Sequence, residues 1–188
     1  MLLKTGLAAV LLCLLAIAFA PAVDAASPMA TGERAIAPRG FIGFCMKYRT
    51  ECQATGNPSA GVALSDERQR ELEFVQSKVN RLVRPHDNPE HVWDYPDDGY
   101  GDCNNYALAK RRELIALGWP REALLLAAAM TETGEGHLVL VVATSQGEYV
   151  LDNRQTHVVE WSRLPYRWLS RQSQADAAVW VSVVARAG

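Results

Sequence analysis

The sequence has no dense cluster of lysine and arginine: 19 basic residues stand against 21 acidic ones, for a formal net charge of −2. That balance argues against a nucleic-acid partner, which needs a concentrated positive face. No pair of cysteines or histidines has the spacing that grips zinc, and no segment repeats. Long apolar runs are also scarce; the only one beyond strand length is N-terminal, from Gly6 to Ala20 behind Lys4. It is too short and too near the start for a spanning helix with a downstream stop, and it reads as a signal peptide over residues 1–25. Val23-Asp24-Ala25 supplies the small residues for cleavage before Ala26, and Leu12 is too bulky to make Cys13 a lipid-anchor site. The mature chain is expected to be periplasmic and not membrane-spanning.

Cysteine is scarce too, and its arithmetic is informative. Losing Cys13 with the leader leaves Cys45, Cys52 and Cys103, an odd number for an oxidising compartment. Cys45 and Cys52 are seven positions apart, a comfortable span for a small disulfide loop, which leaves Cys103 as the free thiol. Cys103 sits where a loop containing Gly99 and Gly101 runs into an amphipathic helix that Gly118 and Pro120 stop. Asp102 is a good N-cap there, and a thiol at a helix start feels the positive end of the dipole. Both features favour a thiolate, so Cys103 is predicted to be a nucleophile. The plainer alternative, a buried apolar cysteine, sits poorly with flanking Asp102, Asn104 and Asn105.

Residues 26–40 are rich in Ala, Pro and Gly and predict a flexible arm, with a single domain over 41–188. The Cys45–Cys52 stretch predicts irregular structure. Ser65 caps a helix whose stripe runs Leu72, Val75, Val79, Leu82 and Val83 up to Arg84-Pro85. An acidic linker follows, in which Trp93, Tyr95 and Tyr100 either wall a substrate cleft or cover the next helix. Beyond the Cys103 helix the periodicity changes: an apolar run over 123–130, strands over 137–143 and 148–152 around Ser145-Gln146-Gly147, then strands over 158–161 and 178–184. Helices first and an antiparallel sheet afterwards describe an α+β domain.

A cysteine nucleophile needs an imidazole, and the imidazole needs a polar group to fix its tautomer. His137 opens the first hairpin strand and Asp152 closes the second, so both lie near one rim of the sheet. His86, His91 and His157 are the competitors, and of these only His157 is close enough to Asp152 in sequence to reach that rim.

These residues carry a resemblance. Gly101-Asp102-Cys103, Gly118-Trp119-Pro120, Gly136-His137 and Val150-Leu151-Asp152-Asn153 resemble the bacterial transglutaminase-like cysteine proteinases, the LapG-like periplasmic cysteine proteases. Phe44-Cys45 with Cys52, Pro165-Tyr166-Arg167 and Arg171-Gln172-Ser173 add to the likeness. The resemblance implies a papain/transglutaminase-like fold, with the nucleophile at a helix N-terminus packed on an antiparallel sheet. It also implies a Cys103–His137–Asp152 triad, a protein substrate such as a surface adhesin, and a membrane-bound regulatory partner. LapG-like members bind calcium through acidic residues in an Asp-Cys-Glu-Asp pattern, where this chain has Asp102-Cys103-Asn104-Asn105. Asp102 and Asn104 are the calcium candidates that remain, and the triad chemistry itself needs no metal. Rival readings are an acyl-transferring enzyme, a non-catalytic peptide- or calcium-binding module, and a cell-wall peptide hydrolase.

Overall fold

The computed structural model describes residues 27–54, 61–88, 90 and 92–184. The leader predicted over residues 1–25, with Cys13, lies outside them, as does His91. In chain order the elements are β1 (Thr31–Ala35), α1 (Arg39–Lys47), α2 (Asp66–Leu82), β2 (Arg84–Pro85), β3 (Tyr100–Gly101) and α3 (Cys103–Ala116). Then come β4 (Leu124–Met130), β5 (Gly136–Thr144), β6 (Gly147–Leu151), β7 (Val159–Glu160), β8 (Arg167–Gln172) and β9 (Trp180–Val183). Seven strands form one sheet in the order β1-β9-β8-β4-β5-β6-β7, every neighbour antiparallel, while β2 and β3 form a small parallel pair.

The nearly unbroken apolar runs of β4 and β5 mean burial on both faces, because successive strand side chains point opposite ways. Leu124, Leu126, Leu138, Leu140 and Val142 face α2 and α3. Leu125, Ala127, Val139 and Val141 face a second cluster with Trp161, Leu164 and Tyr166. From the helices, Leu72, Val75 and Val79 of α2, at three- and four-residue steps, and Leu108 and Leu114 of α3 complete the larger core. Ser65 caps α2 by accepting from the Arg68 N–H at 3.2 Å. The result is the α+β arrangement that the order of elements predicted.

Two stretches differ from expectation. Instead of staying loose, residues 31–35 form β1, an edge strand paired with β9. Its side chains are mostly exposed, so the ladder is built by backbone groups and leaves no apolar alternation in Thr-Gly-Glu-Arg-Ala to read. Just before it, Met29 is buried and its N–H donates to Glu148 Oε2 at 2.7 Å, while Trp161 Nε1 donates to the Ser27 carbonyl at 2.6 Å. The second stretch is α1, where irregular structure was expected. Phe41 and Phe44, three apart, bury one face of this helix. A Cys45–Cys52 disulfide, Cα atoms 5.6 Å apart, ties its end to a short 3-10 turn. Glu51 in that turn pairs with the buried Arg111 of α3 at 2.5 Å and with Arg121 at 2.9 Å. Among the described residues no helix is long and apolar enough to cross a membrane.

One core position runs against solvation. Lys110 of α3 is fully buried, and its Nζ has no hydrogen-bond partner among the described residues. The ammonium lies 5.9 Å from the Tyr106 ring centroid. Burial pushes its pKa down to about 7 against the weaker upward pull of Asp152. A charge buried without a partner costs stability. Lys110→Met is therefore expected to stabilise the fold by about 1–3 kcal/mol at pH 7, measured by denaturant unfolding. Because the folded-state pKa is depressed, that gain is largest below pH 7 and shrinks as pH rises toward 10.5, the ordinary lysine value.

Candidate active site

The site is assembled where α3 starts. Asp102 has extended backbone, and its Oδ1 accepts the amides of Asn104 at 2.9 Å and Asn105 at 3.4 Å. Asn105 answers through Oδ1, which accepts the Asp102 N–H at 2.9 Å, completing a capping box. The close approach needs glycine at 101, since a Cβ there would lie 2.4 Å from the Asn105 Cβ. Cys103 is thereby fixed as the first helical residue, half-buried and free of any disulfide. Its backbone amide has no partner among the described residues.

The hairpin brings the other two residues to the same rim. Leu140 pairs with Leu151, which carries Asp152 to a place opposite Val139, one diagonal step from His137 and on the same side of the sheet. His137 Nε2 lies 2.8 Å from Asp152 Oδ1. Cys103 stands beside the same ring, at the head of the cleft that both residues line. Burial alone would lower the His137 pKa; the hydrogen bond to Asp152 and the pull of the neighbouring Cys103 outweigh it and hold the value up to about 9. Burial would likewise raise the Asp152 pKa, but the bond to His137, the Arg154 N–H at 2.9 Å and the Tyr166 hydroxyl at 2.6 Å hold it below the usual range.

Several supporting residues were missed at the level of sequence. Tyr166 donates to Asp152 Oδ2 and packs edge-on against the His137 ring, the centroids 5.6 Å apart. Gln76 of α2 donates to the Asp152 carbonyl at 2.8 Å, and Asn80 reaches the same oxygen at 3.4 Å. One signal for Gln76 was available: it stands one place beyond Val75, at the edge of the apolar stripe of α2. The competing histidines lie elsewhere. His157 is exposed, 3.5 Å from Glu73, and the His86 ring packs against Tyr100.

Cys103 and His137 open into a cleft of about 980 Å³, lined also by Trp93, Asn104, Ile36 and Leu169. Trp93 takes the first of the two roles held open for the linker aromatics, walling the cleft, and packs edge-on against Phe41 and Trp180. Tyr95 turns the other way, onto Phe44, Tyr48 and the Arg112 guanidinium. A thiol and an oriented imidazole facing one open cleft suit nucleophilic attack on a carbonyl.

A family model described as bacterial transglutaminase-like cysteine proteinase, BTLCP, matches residues 31–187. The chain belongs to this family. It is a cysteine peptidase, and a protein substrate follows from that. Solved structures agree. Legionella pneumophila LapG aligns with a TM-score of 0.52 at 26% identity, covering 60% of this chain and 67% of that one. EGTA-treated LapG from the same organism gives 0.51 at 25%, covering 60% and 66%. Calcium-bound LapG gives 0.54 at 22%, covering 63% and 72%, a likeness of fold. A comparison with curated proteins finds no match.

For this peptidase the His137 pKa sets a pH expectation. A value raised from 6.5 to about 9 contributes stability that is complete below 6.5 and is lost as pH rises through about 9. Activity is expected to fall on the alkaline side with an apparent pKa near 9, visible in kcat/KM against pH and in an NMR titration of the ring protons. A ring that loses its proton below pH 7 would contradict this.

Proposed function

We propose that the chain is an exported cysteine peptidase that hydrolyses a peptide bond in a periplasmic or cell-surface protein through Cys103, His137 and Asp152. The observation that carries this reading is an imidazole held by Asp152 through Nε2 at 2.8 Å, lining the same open cleft as the Cys103 thiol. His137 takes the Cys103 proton on its remaining nitrogen, and Asp152 keeps the ring turned and stabilises the imidazolium. The sulfur attacks the amide carbonyl, and the free Cys103 N–H donates to the developing oxyanion. His137 then protonates the leaving amine, giving an acyl-enzyme that water hydrolyses with His137 as base.

Export is supported by the apolar leader pattern and by the Cys45–Cys52 disulfide, since such bonds persist in oxidising compartments. The family likeness favours a surface adhesin as the substrate.

Cys103→Ala is expected to abolish peptidase activity while melting as the parent does. Asp152→Asn should keep the fold and lower kcat/KM by about 10³- to 10⁴-fold, as loss of the orienting carboxylate does in other triads. Product analysis by mass spectrometry should show hydrolysed ends only, with or without added amine. Full activity in Cys103→Ala would overturn the mechanism, and amine incorporation would move the chain to acyl transfer.

A further inference from the structure

The fold family raises the question of calcium, because one of the solved relatives is described as calcium-bound. The residues around the nucleophile of this chain do not fit that ion. Calcium wants several oxygen ligands turned toward one point. Here both carboxylate oxygens of Asp102, the one charged candidate, are already turned toward protein donors. Asp102 Oδ1 takes two backbone amides, and Asp102 Oδ2 takes the side-chain amide of Asn104 at 3.0 Å. Asn105 Oδ1 takes the Asp102 N–H, and Asn105 Nδ2 donates to the Asp94 carbonyl at 2.8 Å. The Asp94 carboxylate in turn accepts from the Lys47 ammonium, the Tyr48 hydroxyl and the Tyr95 N–H. Among the described residues no three acidic, histidine or cysteine side chains converge on a metal position.

The decisive atom is Asn105 Nδ2. Asn105 is buried, and its orientation is fixed because an N–H faces one end of the amide and a carbonyl faces the other. A carboxylate at 105 would set two acceptor oxygens against each other across the same 2.8 Å, a contact that a bridging cation, a proton or a shift of the side chain would have to relieve. The amide supplies the missing donor itself. We propose that the Asn105 side chain, backed by Lys47 on Asp94, bridges the acidic linker to the start of α3 in place of a divalent cation, so that the nucleophile is positioned without calcium. Lys47 pairs with the Asp94 carboxylate beside that bridge, although the pair is partly exposed and adds little on its own. The proposal concerns the same nucleophile as the peptidase reading but is read from thermal stability, so the two can fail separately.

The test uses the mature protein in 1 mM calcium and in EGTA. The parent is expected to melt within about 1 °C in the two buffers, to sensitise no terbium luminescence, and to cleave substrate equally in both. Asn105→Asp in EGTA should melt about 4–8 °C lower than the parent, as loss of a buried bridge would give in a domain of this size. Calcium should recover part of that fall. A calcium-dependent rise of 5 °C or more in the parent, or saturable terbium binding there, would overturn the proposal. So would an Asn105→Asp variant as stable as the parent in EGTA. The parent measurement decides on its own should the variant fail to fold. Equal melting with no cleavage in either buffer would support this inference and count against the peptidase reading instead.

Discussion

Asp152 is where the main parts of the molecule meet. Its carboxylate takes the His137 ring, the Arg154 amide and the Tyr166 hydroxyl, and its carbonyl takes the side chains of Gln76 and Asn80. These donors come from β5, from the turn after β6, from the approach to β8, and from α2. A buried carboxylate is costly unless its lone pairs are filled, so each of these elements must be in place before the charge is tolerable. The imidazole direction that the proposed mechanism depends on is thus set by the packing of a helix against a hairpin.

The sheet supplies the stiffness behind that arrangement. With β4 and β5 covered on both faces, a shift of register by one residue would exchange the two cores completely, so the pairing that brings His137 beside Asp152 is strongly specified. Lys110 shows the opposite condition within the same interior. The carboxylate is saturated while the ammonium is left bare, and the difference appears in their shifted protonation.

How much of this could be read from the chain depended on whether the signal was local. Cys103 after an N-cap and a glycine, the helical stripe of α2 and the hairpin around Gly147 are patterns within a few residues, and the structure shows these elements where they were expected. His137 and Asp152 were legible as two ends of one hairpin. Tyr166 was legible only as part of a familiar short block, because its contact with Asp152 joins the loop before β8 to the turn after β6. β1 and β8 carry too little apolar alternation to be seen, since their places come from backbone ladders with β9 and β4. α1 was obscured by Gly40 and Gly43, which dilute a helical pattern that Phe41 and Phe44 alone sustain.

The contact between Gly101 and Asn105 has a consequence for how this chain can change over time. No side chain fits at 101 while the Asn105 amide lies across it, and the amide holds its place by bonds to Asp102 and Asp94. The two positions are therefore not independent letters of the sequence. A mutational route that enlarges the first must also retract the second, and the intermediate step would carry either a clash or a broken bridge next to the Cys103 sulfur. Drift at this junction should be rare and, where it happens, concerted.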